Sequence, residues 1–158
     1  MNEALKKPMQ PDEIEWRIQS ARNGKTTVVP YLKNRAVMDR LDAAFSPDGW
    51  CNTFERWGSG RGVKCGIGVL CDAQWVWKYD GADETDIEAT KGGFSDSMKR
   101  AAVQWGLGRD LYKYPRIFID GEHKYIPTWA SKRLDQLVAA FIEGKLDGME
   151  VITLTEKK

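Results

Sequence analysis

The apolar positions of this chain change their spacing several times, and each change marks an element. Ile14 and Ile18 lie one helical turn apart behind Pro11-Asp12-Glu13, whose acidic groups suit the positive end of a helix dipole, so the spacing predicts a short helix. "TTVVPYL" reads as extended, and Pro30, which has no N–H for a ladder, predicts an edge strand at most. In "NRAVMDRLDAAF", Val37, Leu41 and Ala44 recur at i, i+4 and i+7, the pattern of an amphipathic helix, with Asn34 placed to cap it and "SPDG" to end it. From Trp50 to Tyr79 the period falls from 3.6 to 2. "WCNTFERW", "GVKCGIGVLC" and "WVWKY" are three alternating segments joined by "GSGRG" and "DAQ", which predicts an antiparallel meander. Val63, Cys65, Ile67, Val69 and Cys71 fall on one face of the second segment, and Trp75, Trp77 and Tyr79 on one face of the third.

An acidic connection, "DGADETDIEATKGG", leads to "FSDSMKRAAVQWGLG", Phe94 to Gly108, where the helical period returns. Stepping 100° per residue gathers Phe94, Met98, Ala101 and Trp105 into a buried stripe and puts Asp96, Lys99, Arg100 and Val103 opposite. "RIFID" and "KYIP" around "GEH" predict a small hairpin. "TWASKRLDQLVAAFIEG" predicts a helix with Thr128 at its start, Leu134, Leu137, Val138 and Phe141 inward and Gly144 as its stop, and "MEVITLTEKK" a last strand. The fold class expected is α+β, an antiparallel three-stranded β-meander packed against helices, in one domain spanning residues 1–158.

Charge narrows the function. Twenty-four Lys and Arg against twenty-three Asp and Glu leave a formal +1, so any site for a polyanion is a local patch rather than a global field. The three cysteines, Cys51, Cys65 and Cys71, lack the pairing or spacing of a disulfide framework or a zinc site and are expected as reduced, strand-borne core residues. No segment has the roughly 20 apolar residues of a membrane span, and the N-terminal residues do not resemble a signal sequence, which predicts a cytoplasmic protein. The Lys99-Arg100 doublet has two readings. Asp96 can pair with both at i+3 and i+4 and make an ordinary solvated face, whereas Val103 on the same side speaks for a contact surface.

The succession of "RAVMDRLDAAFSPDGW", a three-strand meander, an acidic loop and "TKGGFSDSMKRAAVQWGLGRDLY" resembles the Rad-fifty-two type of single-strand annealing proteins, above all their short phage and bacterial members. The resemblance runs from Lys33 to Tyr112 and is most specific in "SDSMKRAAVQWGLG". It implies a β-β-β-α core that assembles into a homo-oligomeric ring or arc and holds single-stranded DNA by its backbone in a basic groove. The activity it implies is annealing of complementary strands in recombination and repair, with neither ATP nor a metal cofactor, beside a single-strand-binding protein or a host recombinase. Carried over by position, Lys99 and Arg100 become the leading phosphate contacts and Arg35 a further one. Val103 and Pro47 stand where some eukaryotic members have arginine and tyrosine. Residues 33–112 are thus expected to bind DNA and form the oligomer; for residues 113–158 no role is assigned.

Lys33, Arg56, Arg61, Lys64, Lys78 and Lys91 are candidates to extend the groove, each with solvated surface as the plainer reading. Trp57, Trp75 and Trp77 suit base stacking, the core or a subunit interface, the last being favoured because an oligomer covers exposed aromatic surface. "GSGRG" lacks the Lys-Ser/Thr ending of a phosphate loop and reads as a hairpin tip. The alternatives to annealing are DNA-end protection by the same fold, and a magnesium-dependent nuclease using Asp80, Asp83, Glu84, Asp86 and Glu88. His123, beside Lys124 in a turn, has no nucleophile partner in the sequence.

Overall fold

The computed structural model describes residues 2–58, 60–83 and 89–157, with side chains from residue 92 in the last run. Its elements are α1 (Glu3–Lys6), β1 (Ile14–Arg22), β2 (Lys25–Leu32), α2 (Asn34–Phe45), β3 (Trp50–Trp57), β4 (Gly62–Cys71), β5 (Gln74–Asp83), α3 (Ala89–Gln104), β6 (Arg116–Asp120), α4 (Thr128–Ile142) and β7 (Val151–Leu154). They fall into two compact units. One holds the residues up to Lys7 with Leu32–Arg109, the other Pro8–Tyr31 with Asp110 onward.

The first unit contains the expected meander. Its sheet has the order β3-β4-β5 with both pairs antiparallel, from Trp50↔Val69 to Trp57↔Gly62 and from Gly62↔Asp83 to Cys71↔Gln74. The alternation then fixes two faces. Phe54, Val63, Cys65, Ile67, Val69, Lys78 and Asp80 face α3, whereas Thr53, Glu55, Trp57, Lys64, Leu70, Trp75, Trp77 and Tyr79 share the other face. Val63, Cys65, Ile67 and Val69 are buried as predicted. The cysteines are free, but Cys65 alone is a core thiol, its burial pushing the thiol up to about 12. Cys71 is exposed because it abuts the Asp72-Ala73 turn, where the strand leaves its cover, and Cys51 is half-buried.

Two helices of this unit depart from expectation at their starts. Lys33, not Asn34, occupies the cap position of α2, and Asn34 Oδ1 is buried without a hydrogen-bond partner among the described residues. α3 begins at Ala89, five residues before Phe94, so Gly92-Gly93 lie inside a helix. Glycine disfavours a helix interior by about 1 kcal/mol, which is why this stretch reads locally as loop; packing of α3 against β4 and β5 overrides it. The C-terminal end is legible in "WGLG". Gly106 has φ +105°, its N–H donates to Val103 O at 3.0 Å, and Leu107 N–H reaches back to Ala102 O at 3.2 Å, the paired bonds that a left-handed residue after a helix allows.

The second unit differs more. Its four-stranded sheet has the order β1-β2-β6-β7, with α4 contributing Ala130 and Leu134 to a core with Val28, Ile117, Ile119 and Leu154. The predicted helix at Ile14–Ile18 is instead a three-residue 3₁₀ turn, Pro11–Glu13, followed by β1. An i, i+4 pair fits period 2 as well as 3.6, and Trp16, half-buried against the same core, shows that period 2 wins. β2 is an interior strand, not an edge. It pairs with β6 over Lys25↔Asp120 to Val28↔Ile117, and Pro30 lies beyond that register, where β6 needs no N–H from it. The predicted 116–127 hairpin does not form, because β6 takes β2 and β7 as its neighbours, while His123 N–H donates to Thr26 Oγ1 at 2.8 Å. Helix α4 starts at Thr128 with Pro127, not Thr128, at the cap. Gly144, at φ +76°, ends it as expected.

Candidate nucleic-acid interface

α3 is seated on the meander by side chains that the alternation of β3, β4 and β5 aims at it. Met98, Ala101, Ala102 and Trp105 are buried, and Trp105 Nε1 donates to Ile67 O at 2.9 Å. Phe94 is 39% exposed, its ring edge-on to Phe54 at 4.8 Å, so it borders the stripe rather than filling it. Two cations hold the end of the helix. Lys78 Nζ donates to Gln104 O at 3.1 Å and lies 4.6 Å from the Trp105 ring centroid, and Arg109 donates to Val103 O at 2.8 Å and Gln104 O at 2.9 Å. Cations at the last carbonyls answer the negative end of the helix dipole.

On this rigid seat the doublet divides. Lys99 is 8% exposed and pairs with Asp96 at 3.8 Å, which corrects its expected place on the open side of the helix. The buried sector is wider than a four-residue stripe, since Ser97 and Ala102 are also fully buried, and the lysine stem is taken into it. Arg100 is exposed and does not pair with Asp96. Its Nε donates to Asp80 Oδ1 at 3.2 Å across to β5, and Asp80 Oδ2 accepts from Gln104 Nε2 at 3.4 Å. Asp80 Oδ1 also accepts from Gly81 N–H at 2.7 Å. Burial works to raise the Asp80 carboxyl, but the Gly81 N–H, the Gln104 amide and the Arg100 guanidinium outweigh it and hold the group below its ordinary range.

The other expected cations are distributed rather than gathered. Lys33 and Arg35 are exposed at the start of α2, a helix that packs on α3 and β3. Arg56 is exposed on the α3-facing side of β3, and Arg61 is exposed in the β3–β4 turn. Lys64 belongs to the opposite face of the sheet. It is ion-paired with Glu55, and its ammonium lies 5.4 Å from the Trp57 ring centroid and 5.1 Å from that of Tyr79. The side chain of Lys91, like Glu84, Asp86, Glu88 and Ser59, lies outside the described residues. Among the described residues no group of three or more His, Cys, Asp or Glu could hold a metal ion, and Asp80 is committed to Arg100 and Gln104. His123 Nε2 faces Asp120 O at 2.7 Å, an ordinary turn contact. Among the described residues, too, no helix is long and apolar enough to cross a membrane.

Behind Lys64 the open face carries an aromatic ladder. Trp77 and Tyr79 stack with ring centroids 6.1 Å apart and 19° between planes, with Trp75 following at 6.4 Å. Gly66 and Gly68 lie under the rings. A Cβ on Gly66 would come within 2.5 Å of Tyr79, and one on Gly68 within 2.8 Å of Trp77, so only glycine lets the aromatic rings settle onto the strand. Trp57 is 65% exposed, Tyr79 47% and Trp75 45%. The sequence displays the glycines and the aromatics at alternate positions, but only the cross-strand register shows that they meet. Asp80 as the partner of Arg100 is hidden for the same reason, since an ion pair between a strand and a helix twenty residues on has no local signature.

Residues 1–130 match the family model described as Rad52/22 family double-strand break repair protein. The chain is 33% identical over 137 residues to the single-stranded DNA-binding protein DdrA of Deinococcus radiodurans, an overlap of 80% of this chain and 65% of that protein. It is 29% identical over 122 residues to the protein of the same name from Deinococcus deserti, 73% of this chain and 58% of the relative. The chain therefore spans less than two thirds of the length of either relative.

Proposed function

The chain belongs to the Rad52/22 family of double-strand break repair proteins, and on that premise we propose that it binds single-stranded DNA by its phosphates and promotes pairing of complementary strands, without ATP or a metal. One observation carries the reading. α3 is held rigidly on the meander and presents the Arg100 guanidinium at the surface, its two terminal nitrogens without a partner among the described residues. Arg100 leads the contact, Lys99 supplies a second positive charge from within the helix seat, and Arg35, Lys33, Arg56, Arg61 and Lys91 are the further cations of the proposed path; Lys64, on the opposite face of the sheet and ion-paired with Glu55, is not on it. Phosphate contacts are independent of sequence and gain strength by counterion release, so a few per subunit suffice when many subunits repeat them along one strand. The assembly we propose is a homo-oligomeric ring or arc, with the open aromatic face of the meander as subunit contact. Both relatives are named for binding single-stranded DNA, which supports the binding step; protection of DNA ends by the same fold is the second reading that binding alone would leave.

The test follows annealing of two complementary fluorescent oligonucleotides in a chelator and without ATP. Rapid pairing by the wild type, reduced at least tenfold in the Lys99→Ala/Arg100→Ala variant, is the expected result. Strand binding with no faster pairing selects end protection, and absence of binding ends both readings.

A further inference from the structure

The doublet is accompanied by an acidic residue whose placement has no part in the helix itself. Asp80 stands on β5, on the side facing α3, opposite Cys65 in the sheet register. Its Oδ1 is fixed by the Gly81 N–H at 2.7 Å and takes Arg100 Nε at 3.2 Å, while Oδ2 takes Gln104 Nε2 at 3.4 Å. The carboxylate is therefore a pinned acceptor that uses only the inner nitrogen of the guanidinium and leaves the two outer ones. Resting on the reading of Arg100 as a phosphate contact, we infer that Asp80 is the positioning residue of that contact and that its negative charge keeps the contact releasable.

Both halves follow from elementary electrostatics. A solvent-exposed arginine is a mobile charge on a long stem, and fixing its Nε orders the outer edge that a phosphate oxygen would meet. The same carboxylate lies close enough to that edge to repel the phosphate and to neutralise part of the charge that drives counterion release. Pairing two strands requires that each let go of the protein, so a contact that is oriented yet partly neutralised suits an annealer better than an unopposed arginine.

Three variants separate the two effects, read as binding of fluorescein-labelled oligo-dT across a series of sodium chloride concentrations. Asp80→Asn keeps an oxygen acceptor for Arg100 Nε and Gly81 N–H, and the Gln104 amide can turn to offer its oxygen to the new amide. It should bind about fivefold tighter, with a salt slope steeper by up to about 0.7 per contact restored. Asp80→Ala frees the charge but loses the anchor, so its gain should be clearly smaller than that of Asp80→Asn. In an Arg100→Ala background Asp80→Asn should change little. Equal gains for the Asn and Ala variants overturn the positioning role, and an Asp80→Asn variant with wild-type affinity and slope overturns the inference entirely. Either result leaves the underlying reading standing if Arg100→Ala alone weakens binding; an Arg100→Ala variant that binds like wild type removes that reading and this inference with it.

Discussion

Lys99 and Arg100 are neighbours in sequence with opposite environments. Arg100 is exposed and reaches Asp80, while Lys99 has its stem in the buried sector of α3 and its ammonium beside Asp96. Truncating them should therefore have different consequences. Arg100→Ala should leave stability within about 0.5 kcal/mol of wild type, as substitutions on open surface do. Lys99→Ala removes packed methylenes and takes an ion-pair partner from Asp96, and should cost about 1–2 kcal/mol. Urea denaturation followed by far-ultraviolet circular dichroism measures both, and a wild-type midpoint for Lys99→Ala would show that its burial has no energetic weight. The consequence for function is practical. Loss of binding in the double variant is cleanly attributable to charge only when Arg100→Ala alone reproduces part of it.

At the scale of elements, the end of α3 combines two glycines with different duties. Gly106 takes the left-handed conformation that closes the helix, and its nearest neighbour to an added Cβ is Lys6 Cγ at 3.6 Å. Gly108, at φ +69°, has the buried Leu32 side chain 2.7 Å from where a Cβ would be. Gly106→Ala should thus cost about 1 kcal/mol, the conformational term alone, and Gly108→Ala about 2–4 kcal/mol because overpacking adds to it. Thermal unfolding of the two variants side by side checks the order, and equal losses would mean that Leu32 yields freely. Such local devices are what the sequence displays well. The period-2 run from Trp50 to Tyr79, the stripe Met98-Ala101-Trp105 and the stops at "WGLG" and Gly144 all depend on neighbours within a few residues. What it concealed depends on distant ones. β6 is a strand because β2 and β7 flank it, the 89–93 turn is helical because the sheet supports it, and Arg100 points to Asp80 because β5 lies beside α3. Even in β1 the discriminating residue was present, since Trp16 between Ile14 and Ile18 marks period 2, and Asn23-Gly24, both at positive φ, marks the tight turn into β2.

For the whole molecule, near-neutrality is the fact that any account of DNA binding must meet. A formal charge of +1 attracts a polyanion weakly at long range, so tight binding has to come from repetition of a local contact. Repetition needs a surface that joins subunits. The open face of the meander offers Trp57, Leu70, Trp75 and Tyr79, all exposed, with Lys64 already compensated by Glu55, a composition that favours burial over solvation. Replacing Trp57 and Trp75 together by glutamate would bury negative charge in that contact while touching only exposed positions, so the subunit should keep its fold. Sedimentation velocity should then show a shift from a large assembly to small species. Affinity for a long single strand should drop by about a hundredfold or more, whereas binding of an oligonucleotide short enough for one subunit should barely change. That dissociation of the two affinities is the signature of multivalency, because loss of a direct base contact would weaken both. A variant that sediments like wild type would move the subunit contact elsewhere, and equal weakening of long and short strands would make the aromatic ladder a stacking surface for bases.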